Sequence, residues 1–194
     1  MALVFVDLDG TLTRFDTLIP YCCIALLHRP RRIFAVKDVV IESVQYLRGK
    51  TGRQGLKEAF IKSFLGGAGQ SRIDQWNRLL FRAVIPPLTR RSMWKRVRNH
   101  QREGDRVFIV SASPDIYVGP LARLWGLDGS ISTRLEWRNG LITGKILGRN
   151  CRGEEKARRI RELFSDEELI GSHAYGNSSG DKQMLELAAF GSYV

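Results

Sequence analysis

The sequence predicts an α/β fold: a doubly wound, mostly parallel sheet with an inserted all-helical segment. Three observations predict it. Short apolar runs at residues 2–8, 107–110 and 172–175 suit buried strands and alternate with helical periodicities. Residues 17–83, after the first run, carry helical patterns alone. Polar clusters directly follow the runs, at Asp7-x-Asp9-Gly10-Thr11, at Ser111 and at Asn177 to Asp181. Open α/β sheets place their ligands at such strand ends.

The elements follow in order. Residues 2–8 form a strand, and Gly10 lets the chain turn away. In the helical segment, Ile33, Val36, Val40, Val44 and Leu47 share one face, with Lys37, Asp38, Glu42 and Gln45 elsewhere. Gly49, Gly52 and Gly55 mark a loop. Phe60 and Phe64 pair at i,i+4 on a helix that Gly66-Gly67 stops, and a helix over 73–84 ends at Pro86-Pro87. A basic helix spans 89–103, a strand 107–110 and a helix 115–125. Segments 130–137 and 141–146 flank Arg138-Asn139-Gly140, a hairpin signal. A helix over 154–164, a strand over 172–175 and a helix over 183–189 complete the pattern.

The 194 residues suffice for one domain, or for a core with an insertion. Cys22, Cys23 and Cys151 are odd in number and lack metal-ligand spacing, as do His28, His100 and His173. That argues against a disulfide frame or a zinc site and for a reducing, cytoplasmic setting. The first residues read as a strand rather than a leader, and the apolar stretch 18–27 is too short to span a bilayer. The net charge of +11 is unevenly spread: residues 14–98 hold 18 Lys or Arg against 5 Asp or Glu.

Asp7 and Asp9 carry the chemistry. Two carboxylates one residue apart at a strand end repel each other, and a cation is the natural way to keep both ionised. The pair reads as a metal-assisted site with an acidic nucleophile and an acid/base partner. Ser111, Lys156 on a helix and Asn177 to Asp181 follow in order. Singly each reads as a helix cap, a solvated helix face or a loop. Their ordered co-occurrence at strand ends argues otherwise.

Together these motifs resemble phosphatases of the haloacid dehalogenase superfamily, in the phosphoserine-phosphatase-like subfamily with a helical cap. A narrower likeness is to bacterial phosphatidylglycerophosphatase C-type enzymes. It rests on Asp7-Leu-Asp-Gly-Thr, His28-Arg-Pro-Arg-Arg, Val110-Ser-Ala-Ser, Thr143-Gly-Lys, Asn150-Cys-Arg-Gly-Glu-Glu-Lys156 and Tyr175-Gly-Asn-Ser-Ser-Gly-Asp. The resemblance implies a Rossmann-like catalytic core over 1–16 and 88–194 and a helical cap over 17–87. It implies Mg²⁺, held by Asp7, Asp9 through its carbonyl, Asn177 and Asp181. Asp7 would attack phosphorus and Asp9 would act as acid and base. Ser111, Ala112, Lys156 and Asn177 would hold the phosphate, and Ser113 and Asp16 would meet the rest of the substrate. Two positions depart from the pattern. Asn177 stands where an Asp metal ligand is usual. Asp16 stands where phosphoserine phosphatases have a Glu that meets the substrate amino group, and an N-cap role for it is equally open.

The basic segment admits three readings: a solvated surface, nucleic-acid binding, or peripheral contact with an anionic membrane at the inner membrane surface. No nucleic-acid module is present and the aromatics sit at core spacing, so no nucleic-acid partner is expected. Arg29, Arg31 and Arg32 adjoin the apolar stretch 18–27 and the amphipathic stretch 33–47, as in interfacial helices. Packing of those helices against the rest of the cap is the plainer expectation. The expected substrate is a phospholipid phosphate such as phosphatidylglycerophosphate. The alternatives are a small soluble phosphomonoester, or a non-catalytic basic binding protein on the same scaffold. The sequence is silent on oligomeric state.

Overall fold

A computed structural model describes residues 1–194, the side chain of Val36 excepted. The chain begins with strand β1 (Leu3–Val6), whose four residues are all buried. A helical segment follows: α1 (Leu18–His28), a 3₁₀ segment (Pro30–Ala35), α2 (Val36–Leu47), α3 (Arg53–Phe64), α4 (Gln70–Leu79), a π turn (Leu80–Val84) and α5 (Ile85–Leu88). The chain then runs through α6 (Arg91–Arg102), β2 (Arg106–Pro114), α7 (Asp115–Leu124), β3 (Gly129–Thr133), β4 (Leu135–Arg138) and β5 (Leu141–Ile146). It closes with α8 (Glu154–Leu163), α9 (Asp166–Leu169), β6 (His173–Gly176), α10 (Lys182–Leu187) and β7 (Phe190–Tyr193).

The main sheet has the order β3-β2-β1-β6-β7, and every pairing in it is parallel. The period-two alternation of β1 divides the core between its faces. Val4 and Val6 join Val107 and Ile109 on one face, in a cluster that continues into Tyr21, Ile61, Leu65 and Trp76 of the helical segment. Leu3 and Phe5 face Phe108, Ile160, Phe164 and Met184 on the other. There Phe5, Phe108 and Phe164 meet pairwise at centroid distances of 6.3, 5.6 and 5.0 Å. Such contacts contribute about 0.5–1.5 kcal/mol each beyond the area they bury.

The hairpin β4–β5 stands apart from the main sheet. Asn139 and Gly140 both take positive φ, 49° and 71°, as the expected two-residue turn requires. The hairpin packs on the helical segment: Gly67 N donates to Ile142 O at 2.7 Å and Ile142 N to Ala68 O at 3.0 Å. Gly144 takes φ +99°, and a Cβ there would lie 2.5 Å from Lys62 Cβ, so only glycine permits this approach to α3.

Three expectations need correction, and one strand was not foreseen. Residues 130–137 divide at Arg134 between β3 in the main sheet and β4 in the hairpin. The helix expected to end at the prolines continues, through a π turn, into α5, and Pro86 and Pro87, which have no N–H to donate, stand just after that local change of register. Strand β7 carries no apolar alternation, because it is an exposed edge strand stabilised by its ladder to β6. The face shared by Ile33, Val40, Val44 and Leu47 is turned outward rather than packed within the helical segment. Among the described residues no helix is long and apolar enough to cross a membrane.

Candidate active site

Strands β2, β1 and β6 are neighbours, so their carboxyl ends bring Ser111, Asp7 and the 177–181 loop to one edge. Lys156, from the first turn of α8, enters beneath them. Its Nζ donates to Asp7 Oδ1 at 2.7 Å, Asp181 Oδ1 at 2.6 Å and Val110 O at 2.6 Å. An ammonium has three donors, and all three are used. Burial disfavours its charge, but Asp7 and Asp181 outweigh burial and raise its pKa. Lys156 therefore stays cationic. Burial raises the Asp7 pKa against the pull of Lys156. Burial also opposes ionisation of Asp181, yet Lys156 and the bonds from Ser178 hold its pKa low. Asp181 Oδ2 accepts from Asn177 N, Ser178 N and Ser178 Oγ at 3.2, 2.9 and 2.8 Å, which shapes the loop around that carboxylate.

Asp9 lies across the cavity with both oxygens engaged. Oδ1 accepts from Thr17 N and Thr17 Oγ1, each at 2.7 Å, and Oδ2 from Ser113 Oγ at 2.5 Å. Thr17 is held in turn by Tyr117, with 3.1 Å between their oxygens. Burial first, and the charge of Asp16 second, push the Asp9 pKa up to about 6, while Ser113 and Thr17 oppose them. A carboxyl poised there can give and take a proton near neutrality. Thr11 Oγ1 lies 3.1 Å from Asp7 Oδ2 and 3.4 Å from Asn177 Oδ1. Gly10 permits this crowding: at φ +84°, a Cβ would sit 2.0 Å from Asn177 Nδ2.

All the expected residues line or border one cavity of about 490 Å³: Asp7, Asp9, Asp16, Ser111, Ala112, Ser113, Lys156, Asn177 and Asp181. Two of them have structural duties there. Asp16 Oδ1 caps α1, accepting from Leu18 N at 2.8 Å and Ile19 N at 3.2 Å. Ser113 spends its hydroxyl on Asp9.

Sequence reasoning missed Thr17, Tyr117 and four cations of the lining, Arg14, Arg53, Lys57 and Arg152. Lys57 reaches down from α3 to Ala112 O and to Asn150 Oδ1, the latter at 2.9 Å, and Thr133 Oγ1 bonds the same two acceptors. Burial drives the Lys57 pKa down to about 8. Among the described residues none of these four cations pairs with a carboxylate. No local spacing singles out Arg14, Arg53 or Lys57 among the 18 Lys and Arg of residues 14–98.

Carboxylates and a buried lysine thus gather at the carboxyl edge of a parallel sheet, in an α/β fold with an all-helical segment after its first strand. The chain belongs to the haloacid dehalogenase-like hydrolase family, whose model matches residues 4–186. It is 36% identical over 187 residues to Protein CicA of Caulobacter vibrioides, covering 96% of this chain and 82% of that one. It is 33% identical over 97 residues to a phosphoserine phosphatase of Archaeoglobus fulgidus, covering 49% of this chain and 28% of that protein. A crystal structure of a protein of unknown function from Bordetella pertussis superposes with a TM-score of 0.78 at 26% identity, covering 99% of this chain and 88% of the other.

Proposed function

We propose that the protein is a Mg²⁺-dependent phosphomonoester hydrolase working through an aspartyl-phosphate. One observation carries this reading: Lys156 joins Asp7 and Asp181 through a single ammonium, while Asp9, with a pKa of about 6, stands across the cavity. In the first half-reaction an Asp7 carboxylate oxygen attacks phosphorus. The bond from phosphorus to the ester oxygen breaks, and Asp9 gives that oxygen its proton. In the second half-reaction water attacks the phosphorus, Asp9 takes the proton, and the Asp7 carboxylate leaves with release of inorganic phosphate. Lys156 balances charge on Asp7 and the transferring group. Ser111, Ala112 and Asn177 would hold phosphate oxygens.

The donor set suits Mg²⁺. Asp7, the Asp9 carbonyl, Asn177 and Asp181 offer hard oxygens, and among the described residues no His or Cys lines the cavity. When bound, the ion supplies Lewis-acid stabilisation of the phosphoryl oxygens. We take residues 17–87 as a cap over a core of 1–16 and 88–194, with Thr17, Leu18, Arg53 and Lys57 as its contributions to the site.

Within this class we favour a phospholipid phosphate such as phosphatidylglycerophosphate, acted on at the cytoplasmic face of a membrane. The support is the lining cations without carboxylate partners among the described residues, together with Phe15 and Leu18 in the same lining. A small phosphomonoester such as phosphoserine is the second reading. It is favoured by the Archaeoglobus relative and by Asp16, whose Oδ2 carries no hydrogen bond among the described residues.

The test is hydrolysis of p-nitrophenyl phosphate with Mg²⁺ or with EDTA, beside an Asp7→Asn control. We expect Mg²⁺-dependent turnover that Asp7→Asn abolishes without loss of fold. Equal rates in both proteins would overturn the reading. A panel of phosphatidylglycerophosphate and phosphoserine then separates the two substrate classes.

A further inference from the structure

Two apolar stripes stand on the outer surface of the helical segment, and one begins at the mouth of the site. In α1 the outward positions recur every four residues, at Ile19, Cys23 and Leu27, and Phe15 precedes them at the same spacing. Phe15 also lines the cavity. Leu27 is 80% exposed, and α1 contains no acidic residue. Ile33 and Phe34, the latter 77% exposed, lead into α2.

On α2 the exposed apolar residues are Val40, Ile41, Val44 and Leu47, with Leu47 at 82%. At 100° per residue they fall in one arc of roughly 120°, and Lys37 and Arg48 fall in the same arc. Asp38 and Glu42 lie outside it. The inward side is Val39, Glu42, Ser43 and Tyr46. The helix therefore presents its apolar face to solvent, the reverse of a packed amphipathic helix. Exposed apolar residues scattered singly are ordinary, but contiguous stripes rimmed by charge mark contact surfaces.

The exposed charge within the α2 stripe is basic, and Asp16 and Asp38 lie at the margins of the two stripes. Arg31, Lys37, Arg48 and Lys50 are exposed and have no ion-pair partner among the described residues. Arg29 and Arg32 do not contribute to it, since they bond the carbonyls that end α3, at Gly66 and Lys62. A second copy of the chain would bring like charges together. An anionic lipid surface complements both the charge and the apolar stripes.

We propose that this face docks on an anionic phospholipid bilayer. The stripes of α1 and α2 would sit at the headgroup boundary, Arg31, Lys37 and Arg48 would lie against lipid phosphates, and the cavity would open beside Phe15 toward the same surface. The docking itself does not depend on the phosphatase reading.

The test is co-sedimentation with vesicles of phosphatidylcholine alone, or of phosphatidylcholine and phosphatidylglycerol at roughly 7:3. The wild-type chain should sediment with the anionic vesicles at low salt and be released as salt rises. Val44→Asp/Leu47→Asp and, separately, Lys37→Glu/Arg48→Glu should each lower the partition coefficient roughly tenfold. Leu163→Asp, an exposed position on α8, should bind as wild type. The charge pair keeps the test sound if the apolar pair fails to fold. Absence of binding to anionic vesicles at low salt overturns the proposal, as does wild-type binding by folded variants of both pairs. A wild-type dimer that Val44→Asp/Leu47→Asp makes monomeric would instead assign the face to a second copy. Sedimentation needs no turnover, so its outcome stands apart from that of the phosphatase assay.

Discussion

Replacing Lys156 with Met removes the ammonium at nearly constant volume and exposes what it holds apart. Asp7 Oδ1 and Asp181 Oδ1 bond the same nitrogen, at 2.7 and 2.6 Å, in a buried setting. Without it the two carboxylate charges stand no more than about 5 Å apart, and at an effective dielectric of about 20 their repulsion is about 3 kcal/mol. Val110 O loses its bond to Nζ as well. Protonating one carboxylate relieves the repulsion, at about 1.4 kcal/mol per pH unit above its ordinary pKa near 4. Near pH 5 that costs about 1.5 kcal/mol, so the proton goes on. Near pH 8 it costs more than the repulsion, and the full penalty remains. The folded variant thus holds a carboxyl whose pKa lies above its unfolded value. Its native state binds more protons than the unfolded chain, so its stability falls as pH rises through that range. Removing one partner of a buried pair typically costs about 3–5 kcal/mol. We expect a loss in that range near pH 8, and one smaller by about 1.5 kcal/mol near pH 5. Urea unfolding in EDTA at the two pH values measures it, with an unchanged slope showing that the transition is comparable. A loss below about 1 kcal/mol, or one that does not grow with pH, would refute the charge argument.

The remaining expectations concern turnover. Asn177→Asp adds a charge to the oxygen set that suits Mg²⁺, so half-maximal activation should come at a lower Mg²⁺ concentration; an unchanged midpoint would remove Asn177 from the set. Ser113→Ala removes a bond that favours the Asp9 carboxylate. Hydrogen bonds to charged groups contribute about 1.5–3 kcal/mol, or about one to two pKa units. In the proposed reaction Asp9 is protonated when it releases the ester oxygen, so the alkaline limb of kcat against pH should move up from near 6 by about that amount. A limb that stays in place would show that Ser113 acts on the substrate rather than on Asp9.

The position of the carboxylates was legible because parallel strands leave no choice of edge. Once β1, β2 and β6 are recognised as buried parallel runs, Asp7, Ser111 and Asp181 fall at one edge of the sheet, and the order β2-β1-β6 brings them together there. Lys156 was legible only through its place in an ordered set, since its helix is otherwise charged and solvated. Lys57 was not legible. It is one of 18 cations between residues 14 and 98, and it reaches the site because α3 packs on the β4–β5 hairpin. No local spacing encodes that packing. The restraint on Asp9 by Thr17 and Tyr117 is hidden for the same reason: their sequence separation is 100 residues, and their contact exists only in the fold.

The basic helical segment shows what a pattern fixes and what it leaves open. Periodicity identifies which α2 residues share a face, but not which way that face points. That choice depends on what the opposite side can pack, and in α2 Val39 is buried and Ser43 and Tyr46 are half-buried, while Val40, Val44 and Leu47 stay outside. Charge counting errs in the opposite sense. The cluster at 29–32 offers three arginines in sequence, yet two of them are turned inward onto the α3 carbonyls, where a cation meets the negative end of a helix. Glu58 is turned inward as well, its Oε1 accepting from Ile146 N at 3.0 Å. Packing thus withdraws charges of both signs from the surface and leaves apolar side chains in their place. The outer face of α2 thus carries Val40, Ile41, Val44 and Leu47 beside Lys37 and Arg48, a placement that neither periodicity nor charge counting fixes on its own.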